Sequence, residues 1–171
     1  RRDLEEEHKS KRQATLSQAL AKANEKPIAV EWLAYCLNKA LTDDCLVVPE
    51  AAAALSRYVE SSAPGTFFRS GGSSLGWSMG AAMGAKLAAP DRIPVALVGD
   101  GSFMFSPPVA ALWAADKHDA PYLTIICNNH VYGAPRNTVR RYYAEGYSAM
   151  SGDFSSLRSA GCTSLISSTA P

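Results

Sequence analysis

Short apolar runs alternate along this chain with segments whose apolar positions recur every three or four residues. "CLVVP" (45–49), "TFFRS" (66–70), "IPVALVG" (93–99) and "PYLTIICN" (121–128) read as strands, bounded by turn residues and rich in β-branched or aromatic side chains. Between them, "EAAAALSRYVES" (50–61), "SLGWSMGAAMGAKLAA" (74–89) and "PPVAALWAADKH" (107–118) read as helices. The last has proline in its first turn, where a missing N–H costs nothing. Upstream, Pro27 opens a helix whose stripe is Ile28, Trp32, Leu33, Cys36, Leu37 and Leu41, and Asp43-Asp44 ends it. Downstream, "DFSSLRSAG" (153–161) reads as a short capped helix ending in glycine.

Apolar strands alternating with helices predict parallel strands covered on both faces. The expected fold is α/β: a doubly wound, mostly parallel sheet with helices on both faces. Right-handed crossovers bring the carboxyl ends of such strands to one shared edge. Residues 27–161 form the predicted unit. Residues 1–26 are polar helix formers and read as an exposed helix or a helical connector from something upstream, while "CTSLISSTAP" (162–171) reads as an irregular tail. That tail is too short and polar to finish a sheet, and the chain does not start with Met, so the sequence reads as a truncated domain.

Composition narrows the function. The net charge of +1 gives no field to recruit nucleic acid or an anionic membrane. The basic stretch "RNTVRRYY" (136–143) reads as a solvated face. No apolar stretch reaches the roughly 18 residues of a membrane span, and the charged opening lacks the apolar segment of a secretory signal. Cys36, Cys45, Cys127 and Cys162 include no metal-type pair, and Cys36 and Cys127 lie in apolar runs as small hydrophobes. This usage fits a reducing compartment: the cytoplasm, or a mitochondrion if a transit segment precedes the chain.

The candidate chemistry sits at two strand ends. The third strand stops at Gly99-Asp100-Gly101, and the fourth at Asn128-Asn129, with 26 residues between Gly101 and Asn128. That gap accommodates loop, helix, loop and strand. In open α/β sheets, ligands bind beyond the carboxyl ends of the strands. A carboxylate and a carboxamide oxygen are hard ligands suited to magnesium or calcium. Magnesium is commonly completed by substrate phosphates and water, and glycines let backbone N–H groups approach a phosphate.

"GDG" at 99–101 followed by "NN" at 128–129 resembles the thiamine diphosphate signature. The likeness extends through "GSSLGWSMGAAMGAKLA" upstream and "YGAPR" downstream, covering residues 27–161. The region resembles the diphosphate-binding domain at the C-terminal end of benzoylformate decarboxylase and acetolactate synthase-like enzymes. The resemblance implies thiamine diphosphate and Mg2+ as cofactors. It makes Asp100 and Asn129 metal ligands through side-chain oxygens, and Val131 a ligand through its carbonyl. Gly99, Gly101 and Ser102 would meet the diphosphate, and Tyr132 and Gly133 would line the pocket. Leu75 would be the apolar wedge that bends the cofactor. Ser73 and Ser74, directly before it, would also bind the cofactor, the Ser73 carbonyl accepting from the aminopyrimidine. The carbanion chemistry belongs to the cofactor; the protein supplies metal, geometry and a dry pocket.

Two features depart from that pattern. The activating glutamate of the family lies on a separate pyrimidine-binding domain, and nothing in residues 1–26 corresponds to it. No catalytic residue is therefore assigned to this chain. A second domain or full-length subunit is the expected partner, within a homo-oligomer, and the chain alone is expected to be inactive. Relatives often carry Ser or Thr after the glutamate at position 50, but Ala51–Ala54 cannot donate. Glu50 itself reads as a charge at the start of a helix, and His130 as solvent-facing.

Other motifs take structural readings. Gly72, Gly76, Gly80 and Gly84 recur every four residues and read as close packing of a helix on the sheet, rather than a membrane dimer motif. Trp77 and Met79 read as core or subunit contact. His118 reads as a helix-end charge, and Ser106 lacks triad companions.

The sequence thus predicts an enzyme module acting beside the carbonyl of a 2-oxo acid, as decarboxylase or carboligase. The alternative is a non-catalytic remnant that dimerises with or regulates full-length relatives. A Rossmann nucleotide binder predicts an acidic residue at the end of the strand after the glycine-rich turn; Asp100 sits roughly there, but inside GDG with Asn-Asn following, which fits the metal reading better.

Overall fold

The computed structural model describes residues 2–50, 55–60, 63–70, 72, 74–154 and 167–168. The chain runs through α1 (Arg2–Ala21), α2 (Val30–Ala40), β1 (Cys45–Glu50), a 3-10 turn (Leu55–Arg57), α3 (Ser78–Ala88) and β2 (Ile93–Gly99). It continues through α4 (Asp100–Phe105), α5 (Pro108–Lys117), β3 (Leu123–Cys127), α6 (Gly133–Tyr142), α7 (Tyr147–Ser151) and β4 (Ser167–Ser168). The sheet order is β1-β2-β3-β4; β1, β2 and β3 are parallel, and β4 adds two residues antiparallel to β3.

Helices pack on both faces of the sheet, as the alternation of runs predicts. Successive strand residues point to opposite faces. Val47, Val95 and Leu97 pack with Ala34 and Leu37 of α2 and with Leu55 and Val59. Val48, Ala96 and Val98 pack instead with Met79 and Ala82 of α3, Ala115 of α5 and Tyr122. β1 is buried throughout and β2 over most of its length, which explains why neither reads as an alternating strand.

Several elements differ from the sequence reading. "TFFRS" contributes only one parallel bridge, Val47 to Phe67. It is held by Val47 N–H donating to the Thr66 carbonyl (2.7 Å) and Phe68 N–H to the Val47 carbonyl (2.9 Å). The next β1 residue turned to that side is Pro49, which has no N–H to extend the ladder. Glu50 ends β1 rather than opening a helix. Of the helix expected over 50–61, a 3-10 turn at Leu55–Arg57 is described, and Ala51–Ala54 lie outside the described residues.

The helix expected from residue 74 begins at Ser78, because Gly76 has φ +91° and leaves the helical region. Gly80 and Gly84 do not press on the sheet: a Cβ on either would meet nothing within 4 Å. Cys36 is exposed, whereas Cys45 is buried and Cys127 half-buried. Helices α4 and α6 are additions, since glycine and proline near their starts mask them in the sequence. The helix expected over 153–161 falls mostly outside the described residues.

The polar N-terminal segment does form a helix. It packs on α2, buries Ala19 and is tied by Lys22 Nζ to Glu31 Oε1 at 2.7 Å.

Candidate functional site

The parallel register builds the site. Glu50 stands opposite Val98, and Gly99 opposite Cys127. Asp100 and Asn128 therefore leave neighbouring strands at one level, on the carboxyl edge that also carries the end of β1.

Asp100 is the first residue of α4 and only 4% exposed. The Cys127 thiol is pushed above its usual range, first by burial and then by the Asp100 charge, which sets that carboxylate beside the end of β3. Gly101 follows, and a Cβ there would lie 2.6 Å from Cδ1 of Tyr132. The aromatic ring thus rests directly on the glycine, bringing together two predicted site residues separated by a helix and a strand. Ser102 is 2% exposed, and its hydroxyl has no hydrogen-bond partner in the structure. Its carbonyl accepts from Ser106 N–H (3.1 Å) and Ser106 Oγ (2.9 Å), which closes α4 and gives Ser106 a capping role.

Beyond β3, two side-chain turns follow in succession. Asn128 Oδ1 accepts from His130 N–H (2.9 Å), and Asn129 Oδ1 from Val131 N–H (3.0 Å). The Val131 carbonyl accepts from Gly133 N–H (2.8 Å). Asn129, Val131 and Gly133 therefore share one turn, with His130 exposed at its tip and in the left-handed region at φ +59°. Each of these oxygens retains a lone pair beyond the bond it makes.

Ser74 and Leu75 lie in the exposed loop before α3; Ser73 is outside the described residues. The loop is anchored by Glu50, 6% exposed, whose carboxylate accepts from Gly76 N–H and from Ser78 N–H (2.6 Å). Ser78 Oγ donates to the Val48 carbonyl (2.6 Å). Glu50 is the feature that sequence reasoning misassigned: its charge faces the start of α3, 26 residues on, not a helix of its own.

Among the described residues, no three His, Cys, Asp or Glu side chains cluster in a way that could hold a metal ion. The predicted donor set has one carboxylate, with an amide and a main-chain oxygen, and so lies outside that pattern. A groove of about 550 Å³ runs between α1 and α2, lined by Arg12, Leu16, Ala34, Tyr35 and Tyr58, and includes none of the predicted site residues.

Comparison with known proteins places this α/β domain among the thiamine pyrophosphate-dependent enzymes. Residues 50–167 match the family described as "Thiamine pyrophosphate enzyme, C-terminal TPP binding domain", and the chain belongs to it. It is 32% identical over 113 residues to benzoylformate decarboxylase of Pseudomonas aeruginosa, covering 64% of this chain and 21% of that protein. It is 35% identical over 115 residues to acetolactate synthase large subunit IlvG of Mycobacterium tuberculosis, covering 64% and 20%. Among solved structures, thiamine diphosphate-dependent 4-hydroxybenzoylformate decarboxylase of Rhodococcus jostii RHA1 superposes with a TM-score of 0.66 at 28% identity. That match covers 80% of this chain and 25% of that one. The chain thus spans about a fifth to a quarter of the length of these relatives. Among the described residues, no helix is long and apolar enough to cross a membrane.

Proposed function

We propose that the carboxyl edge of this sheet holds the diphosphate end of thiamine diphosphate through Mg2+, as the diphosphate half of a 2-oxo acid decarboxylase or acetolactate synthase-like carboligase. The observation that carries the reading is the Gly99–Cys127 register, which sets buried Asp100 beside the Asn128-Asn129 turn. The residues fit the group on two counts. Ser102 offers a buried hydroxyl without a partner, a state that is costly unless a ligand fills it. The donors are hard oxygens of the kind Mg2+ prefers.

In this reading Asp100, the Asn129 side chain and the Val131 carbonyl hold the metal. Gly99, Gly101 and Ser102 face the diphosphate, and Tyr132 and Gly133 wall the site. Leu75 is the apolar wedge under the cofactor, and Ser73 and Ser74 are assigned to cofactor binding, the Ser73 carbonyl as acceptor for the aminopyrimidine. When bound, the cofactor would supply an electron sink for the carbanion formed beside a 2-oxo carbonyl. The chain's own work is to bind, orient and exclude water. The unit we assign to this work is residues 27–161.

A pyrimidine-binding domain, from the same longer chain or a partner subunit, completes the site. Exposed apolar groups support such a partner: Phe105 ends α4, and Val109 and Trp113 lie four apart on α5, with Trp113 65% exposed. The same surface serves a second reading, in which the chain pairs with full-length relatives and silences them. Mixing the chain with an isolated pyrimidine-binding domain, thiamine diphosphate, Mg2+ and a 2-oxo acid separates the two. Release of carbon dioxide supports the enzyme module. No release, with loss of activity when the chain is added to a full-length relative, supports the regulator.

A further inference from the structure

Glu50 and Asp100 are the buried carboxylates among the described residues, and the metal reading uses only Asp100. Glu50 divides its carboxylate between two main-chain donors, Oε1 accepting from Gly76 N–H and Oε2 from Ser78 N–H at 2.6 Å. These donors flank Trp77, the residue that caps the start of α3. The first N–H groups of a helix have no partner within it and attract negative charge. Here a side chain from the end of β1 takes that place, so this helix start is already filled.

The clamp reaches further. Gly76, held at φ +91°, lies so close to α4 that a Cβ on it would sit 2.7 Å from the Phe105 carbonyl oxygen. Phe105 is the last residue of the helix that Asp100 begins. A continuous path therefore runs from Glu50 through Gly76 to α4, with Leu75 immediately before the held glycine.

We propose that Glu50 is a positioning residue: its carboxylate fixes the Leu75 loop relative to α4, so that the apolar wedge and the metal-bearing helix engage opposite ends of one ligand in register. This rests on the thiamine diphosphate reading above. Glu50 touches neither metal nor ligand in this role; it acts through the Gly76 and Ser78 amides.

The test is nuclear magnetic resonance on the 171-residue chain, parent and Glu50→Gln, titrated with thiamine diphosphate and Mg2+. In the parent, the Gly101 and Ser102 amides and the Leu75 methyls shift together. In Glu50→Gln, one acceptor is replaced by an NH2 group, so exchange rises about tenfold at whichever of the Gly76 and Ser78 amides faces it. The Leu75 methyl response falls by at least half, while Gly101 and Ser102 still shift. Glu50→Asp, which keeps the charge but shortens the reach, gives an intermediate response, and it carries the test if the Gln variant does not fold. An unchanged Leu75 response in a variant whose Gly101 and Ser102 still shift overturns the proposal. So does unchanged exchange at Gly76 and Ser78. Silence at Gly101 and Ser102 in the parent instead defeats the cofactor reading, and amide exchange then decides the clamp by itself.

Discussion

Gly99 and Cys127 are register partners in adjacent parallel strands, and the Asp100 carboxylate that follows Gly99 adds to the burial that holds the Cys127 thiol above its ordinary range. A raised thiol has less thiolate at a given pH and reacts more slowly. Asp100→Asn removes the charge and leaves the burial. Alkylation of Cys127 at pH 8 is expected to speed up a few-fold, while exposed Cys36 reacts first in both proteins. Mass spectrometry of timed iodoacetamide reactions checks the order and the ratio.

The glycines of "GSSLGWSMGAAMG" separate by environment. Gly76→Ala forces a left-handed backbone onto an L-residue and drives its Cβ into the Phe105 carbonyl. A loss of about 2 kcal/mol or more is expected, given the cost of such strain. Gly80→Ala places a methyl in open space on a helix, and a gain of about 0.5–1 kcal/mol is expected. Urea denaturation of the two variants should move the midpoint in opposite directions.

Ser102→Ala tests the orphaned hydroxyl. Its removal costs no hydrogen bond in the free protein and relieves an unpaired buried polar atom. Stability is expected to hold or rise by up to about 1 kcal/mol, since unpaired burial is what the change removes. Thiamine diphosphate binding is expected to weaken several-fold. Thermal melting alone and calorimetric titration, run on the same protein, show whether the two effects part in this way.

The pH dependence of the α1–α2 contact follows from Lys22 and Glu31. The Glu31 carboxyl lies below its ordinary range because Lys22 donates to it, and the Lys22 amine lies above its range through the same bond. A depressed carboxyl contributes stability that is present above its unfolded value of 4.5 and is lost as pH falls through the lower folded one. A raised amine contributes stability that is present below its unfolded value of 10.5 and is lost as pH rises through the higher folded one. Amide protection in α1 is therefore expected to be flat between pH 5 and 10 and to fall on both sides. Lys22→Met should remove both slopes where this pair is their source. The pair is partly exposed, so the effect is small and weakens in salt.

The runs around Val47, Val95 and Ile125 were legible because a strand buried on both faces must be apolar nearly throughout. The GDG strand end and the Asn-Asn turn were legible because strand ends in a parallel sheet share one edge. Other features depend on contacts distant in sequence, which local patterns do not carry. Pro49 reads as an ordinary strand residue until a neighbour needs its absent N–H. Glu50 reads as a helix start until Gly76 and Ser78 fold back onto it. The four-residue glycine spacing misled because a stripe of small residues looks the same whether it faces a sheet or solvent, and only Gly76 is tightly enclosed. Helix α6 was hidden by its Gly-Ala-Pro opening and by a surface that buries no residue.

Calorimetric titration of the chain with thiamine diphosphate, in Mg2+ and in a chelator, for the parent and Asp100→Ala, bears most directly on the metal-bridged edge. The parent is expected to bind only with Mg2+, and Asp100→Ala to show no binding under either condition. Equal binding by both proteins, or equal binding with and without the metal, would contradict the assignment of Asp100 and its neighbouring turn to a Mg2+–diphosphate site.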